Sequence, residues 1–177
     1  MNAPESISCA LETDMAALTS LVNSAYRGEV SRKGWTTEAD FLGGTRIGEE
    51  ALKTIFNGPG SVILKYTNAS RELLGCVHLQ KEGAFLFLGM LAVRPEAQAA
   101  GIGRDLLNAS EKYAASVRCH TIRITVITLR DELIAWYKRR GFMETGETKP
   151  FPERPEFGIP NRNLFFTVME KKLSHDR

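Results

Sequence analysis

The stretch Phe85–Val117, FLFLGMLAVRPEAQAAGIGRDLLNASEKYAASV, runs from a dense apolar segment through a glycine-bearing turn into a patterned one. Phe85-Leu86-Phe87-Leu88 and Met90-Leu91-Ala92-Val93 flank Gly89, and a run this apolar predicts a strand buried on both faces. Gly89 within it marks a bulge or a close approach to the backbone. Arg94-Pro95 ends the strand, because proline has no N–H for the ladder and restricts the residue before it. Beyond Gln98-Ala99-Ala100-Gly101-Ile102-Gly103, the residues Ile102, Leu106, Tyr113 and Val117 recur at spacings of four and seven and predict a helix. A strand, a glycine turn and a helix start bring free backbone N–H groups and the helix dipole to bear on an anion.

This arrangement resembles the acetyl-CoA site of the GNAT superfamily of N-acetyltransferases, whose pattern Gln/Arg-x-x-Gly-x-Gly/Ala is met by Gln98, Gly101 and Gly103. Rival nucleotide motifs fit worse, since the chain has neither a Gly-Lys-Ser/Thr phosphate loop nor a complete Gly-x-Gly-x-x-Gly. The resemblance implies acetyl-CoA as co-substrate, its pyrophosphate on the backbone of Gln98, Ala99, Ala100, Gly101, Ile102, Gly103 and Arg104. It also implies that the strand Met90, Leu91, Ala92 and Val93 splays from the following parallel strand and pairs, through its backbone, with the pantetheine arm and thioester oxygen. Arg104 and Arg94 can add positive charge, although Arg94 reads rather as a surface arginine.

Downstream, Leu133–Phe142 resembles the family's Tyr-x-x-x-Gly-Phe signature, which places Tyr137 as the acid facing the CoA sulfur. A phenol of pKa about 10 is protonated at neutral pH and able to donate. Seven residues earlier, where many members have an asparagine on the CoA arm, stands Arg130, which either reaches the same ligand or turns outward. A base is not identifiable. His78, on the strand before the central one, is a candidate with a suitable pKa or a structural histidine, and water can relay the proton instead.

Working outward, Ser6–Leu11 reads as a strand, and Met15, Leu18, Val22 and Ala25 predict a helix to about Tyr26 that Gly28 stops. Within 28–47, Thr36–Asp40 reads as a short capped helix, and Glu49–Phe56 as another. Asn57–Gly60 is a breaker. Strands at Ser61–Tyr66, Glu72–Gln80 and from Phe85 follow with short links, which favours antiparallel hairpins. Thr121–Ile127 is a β-branched strand, Arg130–Arg140 a helix closed by Gly141, Phe142–Glu147 and Leu164–Lys171 strands. Four prolines in Lys149–Asn163 exclude regular structure for most of that segment. The expected class is α/β (mixed α+β), a central, mostly antiparallel twisted sheet with helices on both faces. The order resembles the GNAT-like acyl-CoA N-acyltransferase fold from about residue 7 to 173, so residues 1–177 are expected to form a single N-acetyltransferase domain.

Composition sets the remaining bounds. A net charge of +2 and the lack of a basic aromatic surface argue against nucleic acid. Lys138-Arg139-Arg140, the densest basic cluster, reads as a solvated helix end that complements the dipole. Cys9, Cys76 and Cys119, an odd number in apolar surroundings, are expected to be buried free thiols in a reducing compartment. With no signal peptide in residues 1–5 and no run of membrane-spanning length, the cytoplasm is the expected location. No metal is expected, and monomer and homodimer both stay open.

The acceptor is expected to be an amine, a small molecule, met by Tyr26–Ile47 and Lys149–Asn163, since loops on a rigid scaffold confer specificity. Either Tyr26, Trp35 and Phe41 line an apolar slot with Glu29, Glu38 or Asp40 attracting a cationic amine, or the aromatics anchor a long loop. Against an N-acetyltransferase acting by direct transfer in a ternary complex stand a non-catalytic acyl-CoA-binding module and an acyltransferase using another donor or a protein acceptor.

Overall fold

The computed structural model describes residues 6–152, 154 and 158–174. The amino-terminal residues 1–5, and residues 153 and 155–157 of the proline-rich segment, lie outside the described residues. Along the chain run β1 (Ser6–Cys9), α1 (Met15–Tyr26), α2 (Gly28–Ser31), β2 (Leu42–Gly43), α3 (Glu49–Phe56), β3 (Ser61–Thr67), β4 (Leu73–Glu82) and β5 (Phe85–Val93). They continue with α4 (Ile102–Ser116), β6 (Thr121–Ile127), α5 (Asp131–Lys138), β7 (Met143–Pro150), β8 (Ile159–Pro160) and β9 (Phe165–Lys172).

Seven strands form one sheet in the order β1-β3-β4-β5-β6-β9-β7. Every adjacent pair is antiparallel except β5 with β6, which α4 joins as the crossover that a parallel pair needs. Helices cover both faces, as expected. Leu18, Val22 and Leu52 of α1 and α3 pack with Ile63 and Cys76 on one face. Leu106 and Leu107 of α4 pack with Leu64, Val77 and Leu79 on the other. The neighbours 63 and 64, and 76 and 77, thus alternate between layers as the pleat requires. Each side chain fully buried this way stabilises the fold by about 1.5–3 kcal/mol.

Two expectations need correction, on Thr36–Asp40 and on Cys9. Thr36–Asp40 is a single turn rather than a helix, in which the Thr37 hydroxyl accepts from the Ala39 N–H and the Glu38 carbonyl from Phe41 and Leu42. Its cap forms, but no apolar stripe follows to extend it. Within the proline-rich segment, the two-residue β8 pairs with β2, Gly43 opposite Ile159, and holds the two loop segments together. Pro160 is tolerated there because this two-stranded ribbon leaves its N–H side free. Cys9 is exposed, while Cys76 and Cys119 are buried free thiols.

Helix α4 approaches the sheet closely over Gly75, where an added Cβ would lie 2.9 Å from Ile102 Cγ2, 3.0 Å from Leu106 Cδ1 and 3.1 Å from the Ala92 carbonyl oxygen. Gly75→Val should therefore overpack this contact and cost about 1–3 kcal/mol. Urea denaturation reads the loss, and an unchanged midpoint would contradict it.

Candidate active site

The site grows from an irregularity in β5. His78 pairs with Gly89 and Cys76 with Ala92, so Met90 and Leu91 together face the single residue Val77 across the ladder. This is a β-bulge next to the glycine that signalled one. Met90 takes φ of 48°, a left-handed value unusual for a side-chain-bearing residue and found where surrounding structure enforces it. The extra residue reverses the facing of everything after it. Leu86 and Leu88 pack in the α4 layer, whereas Met90 and Ala92, of the same parity, pack in the α1 layer. On its other side β5 pairs with β6 only at Phe85–Phe87, opposite Thr121–Arg123, so the strands part beyond Phe87.

Two cavities meet in that opening. The larger, about 430 Å³, runs from Leu91, Ala92 and Val93 past Gln98, Ala99, Gly101, Gly103 and Arg104 to α5. Gly101, at φ of 83°, turns the chain into α4, and the helix start faces the cavity at Gly103. Trp136 forms the opposite wall, 3.5 Å from a Cβ added at Gly103. Arg104, Arg139 and Arg140 bring positive charge here. Arg140 stacks on Trp136 with Cζ 3.6 Å from the ring centroid, and its buried Nε has no hydrogen-bond partner. Burial, and then the charges of Arg139 and Arg104, lower the Arg140 pKa from its ordinary value. Such a cluster wants an anion, and among the described residues no acid pairs with Arg139 or Arg140.

The smaller cavity, about 190 Å³, lies between Phe87–Leu91 of β5 and Ile124–Ile127 of β6, with Tyr26, Arg27, Glu38, Arg46, Phe151 and Phe166 around it. Tyr26, Leu91, Arg130, Leu133 and Tyr137 line both cavities and form their junction. The Tyr137 ring is buried and meets Trp136 and Phe142 edge-on, at 5.0 and 5.3 Å between centroids. Its hydroxyl makes no hydrogen bond among the described residues, and burial pushes the phenol above its ordinary pKa, so it stays protonated. Tyr26, pushed up to about 12 by burial and then by Glu38, donates its hydroxyl to the Leu91 carbonyl at 2.9 Å.

The remaining candidates are distributed differently from the expectation. Gln98 does not point its side chain at the turn's N–H groups. Its Oε1 accepts from the Trp35 N–H at 2.9 Å and its Nε2 donates to the Val93 carbonyl at 3.1 Å, tying the 28–47 segment to the end of β5. Ala100 is exposed and Ile102 is buried against Gly75, so neither lines the larger cavity. Met90 lines the smaller one. Trp35 lines the larger cavity rather than an acceptor slot. Phe41 packs instead with Leu42, Ile127 and Leu164, anchoring its loop. His78 lines neither cavity: buried in β4, its Nε2 lies 2.8 Å from Ser61 Oγ, and burial lowers its pKa to about 4, which leaves it neutral.

Arg130 turns neither outward nor freely into the cleft. It is buried, giving Nη1 to Glu38 Oε1 at 3.2 Å and Nη2 to Thr36 Oγ1 at 2.6 Å. Glu38 Oε2 accepts from Arg27 Nε at 2.9 Å. Glu38 is thus spent on two guanidinium groups, while Glu29 and Asp40 pair with Arg32 at the surface, so none is left to draw in a cationic amine. Sequence reasoning missed Arg27, Arg46, Trp136, Arg139 and Arg140. The last two were visible beside Tyr137 but read as a solvated helix end.

A parted sheet with a bulged strand, a cationic cavity at a helix start and a second cavity meeting it at a tyrosine define an acyl-transfer class of fold, and the comparisons with known proteins agree. The profile of the Acetyltransferase (GNAT) family matches residues 16–142, and the chain belongs to that family. Among solved structures it is similar to the ribosomal-protein-S18-alanine N-acetyltransferase from Escherichia coli, at 17% identity and TM-score 0.73, over 98% of this chain and 96% of that one. It is similar to the ribosomal-protein-alanine N-acetyltransferase from Brucella melitensis, at 23% identity and TM-score 0.68, over 95% and 99%. It also resembles the spermidine/spermine N-acetyltransferase SpeG from Vibrio cholerae, at 19% identity and TM-score 0.66, over 97% and 94%. Identities this low carry the fold alone. No curated protein matches the sequence. Among the described residues no helix is long and apolar enough to cross a membrane.

The Arg27–Glu38–Arg130 triad joins the 27–38 stretch to the start of α5 with its side chains nearly excluded from water. Glu38→Ala removes the carboxylate that both buried guanidinium groups share, so it should cost about 3–5 kcal/mol. Chemical denaturation measures this. A loss under about 1 kcal/mol, the scale of an exposed pair, would mean that water reaches the triad.

Proposed function

We propose that the chain is an acetyl-CoA-dependent N-acetyltransferase, a single domain over residues 1–177 working in the cytoplasm. It would move the acetyl group directly to an amine while donor and acceptor are both bound. One observation carries this reading: the two cavities meet beside Tyr137, whose hydroxyl is uncommitted. The larger takes the CoA. Its phosphates suit the N–H groups at the start of α4 and the cluster of Arg104, Arg139 and Arg140. The pantetheine arm suits the edge of β5 left without a strand partner from Leu88 to Val93. The smaller takes the acceptor.

In this mechanism the amine nitrogen attacks the thioester carbon, and the carbon–sulfur bond breaks as the carbon–nitrogen bond forms. The departing thiolate receives the Tyr137 proton, the amine's own proton leaves to water, and the phenolate takes a proton back from water, which restores the enzyme. No histidine lines the acceptor cavity, and its one described carboxylate, Glu38, is committed to arginines. The phenol keeps its proton and so has one to donate, while burial, by raising its pKa, makes it a weaker acid than a free tyrosine. The solved neighbours are named for a ribosomal-protein alanine in two cases and for spermidine and spermine in another, so the fold leaves the acceptor open.

Tyr137→Phe keeps the ring contacts and removes the hydroxyl. Its turnover number should fall on the order of 10²-fold, with stability and acetyl-CoA affinity little changed. Near wild-type turnover in steady-state kinetics would sink the acid role and leave the cofactor reading standing. Gly103→Glu places a carboxylate against Trp136 in the larger cavity, where bulk and like charge exclude the phosphates. Calorimetry should find acetyl-CoA binding lost with the fold retained, and an unchanged affinity would sink the cofactor assignment.

A further inference from the structure

Among the described residues, the acceptor cavity has a surplus of positive charge. Three guanidinium groups, from Arg27, Arg46 and Arg130, line it against the single described carboxylate of Glu38. Both Glu38 oxygens are taken, Oε2 by Arg27 and Oε1 by Arg130. Arg46 is left over. It is half-buried, its Cζ lies 5.6 Å from the centroid of the Tyr26 ring, and it makes no side-chain hydrogen bond or ion pair among the described residues. A guanidinium carries five donors, so one drawn partly out of water with none of them used is an arginine awaiting an acceptor. Nor is its place accidental. The Asn23 side chain in α1 accepts from the N–H groups of Arg46 and Ile47 at 2.7 and 3.1 Å and donates to the Ile47 carbonyl at 2.9 Å, clamping the backbone here.

We propose that the acceptor is a compact amine that also carries a carboxylate, an amino-acid-like compound whose anion is received by Arg46. This rests on the acetyltransferase reading above and names the acceptor class of the same site. Arg46 lines only the smaller cavity, whereas Tyr26, Leu91 and Tyr137 line both. A carboxylate held by Arg46 therefore leaves the other end of a short molecule free to reach the junction with the larger cavity. The cavity's 190 Å³ is below the roughly 300–1,000 Å³ of pockets for drug-sized ligands. Phe87, Leu88, Ile124, Val126, Phe151 and Phe166 on its walls favour an apolar body. A polyamine fits poorly, because its additional ammonium groups would add to a positive surplus.

The test is a turnover panel with the full chain and acetyl-CoA, read by release of the free thiol. The apolar amino acids are compared each with its own carboxamide, and spermidine serves as the polycation. The carboxamide's amine is the less basic of each pair, so intrinsic reactivity works against the expected result. The carboxylate member should be acetylated with kcat/KM about tenfold or more above its carboxamide, and spermidine should fall below both. Arg46→Gln should raise KM for the carboxylate member by about the same factor, change kcat by less than about twofold and erase the preference, while Arg46→Lys keeps part of it. Acetyl-CoA affinity should be unchanged in both variants, since Arg46 does not line the larger cavity. Carboxamides or spermidine used as well as the amino acids, or a preference that survives Arg46→Gln, overturns this inference and leaves the acetyltransferase reading intact. Acetyl-CoA binding with no thiol release from any amine overturns both.

Discussion

A single additional residue in β5 is the constraint on which the site depends. With Met90 and Leu91 opposite Val77, the ladder to β4 is kept but the strand changes facing, and Met90 is driven to a positive φ. Before the bulge, even-numbered side chains support α4; after it they support α1. One strand therefore serves both layers of the core, and its upper half turns away from β6, with which it pairs only at Phe85–Phe87. The strain has a local cost of order 1–3 kcal/mol. Many buried contacts offset it, among them the fully buried Leu86, Ile122 and Leu106.

Charge organises the two cavities that this parting opens. In the larger, Arg139 and Arg140 pair with no acid among the described residues, and Arg140 leaves a buried Nε unmet. In the smaller, Glu38 pairs with Arg27 and Arg130 but not with Arg46. Burying a triad of this kind costs desolvation that its mutual attraction only partly returns. Its effect is to hold the 28–47 segment against the start of α5, with Thr36 bonded to both Arg130 and Glu132. Gln98 fastens the same segment to the end of β5 through the Trp35 N–H. A Cβ at Gly34 would lie 2.1 Å from Gln98 Oε1, so a side chain there would displace the glutamine from this brace. The side chain of the motif glutamine is thus a brace between two loops.

What the chain could disclose by itself was local. Periodicity fixed α1, α3, α4, β3, β5 and β6 to within a residue or two, because amphipathic spacing and β-branched runs express burial directly. Gly89 announced an irregular strand, and the spacing of Gln98, Gly101, Gly103, Tyr137, Gly141 and Phe142 carried the family. Short links told that the early strands form hairpins. These properties belong to segments a few residues long, where side-chain size and backbone freedom decide the outcome.

Tertiary structure alone decided which charges meet. Arg130 lies far along the chain from residues 27 and 38, and nothing in their neighbourhoods says that one carboxylate will serve both arginines while Arg46 goes without. The same is true of His78, a plausible base by type that the fold buries against Ser61, and of Phe41, an aromatic that the fold spends on anchoring. Electrostatic partnership depends on distance and on exclusion of water, and both are set by packing between elements rather than within them. The sequence by itself determined the strand, turn and helix of a GNAT chain; only their assembly determined the charge each half of the cleft presents.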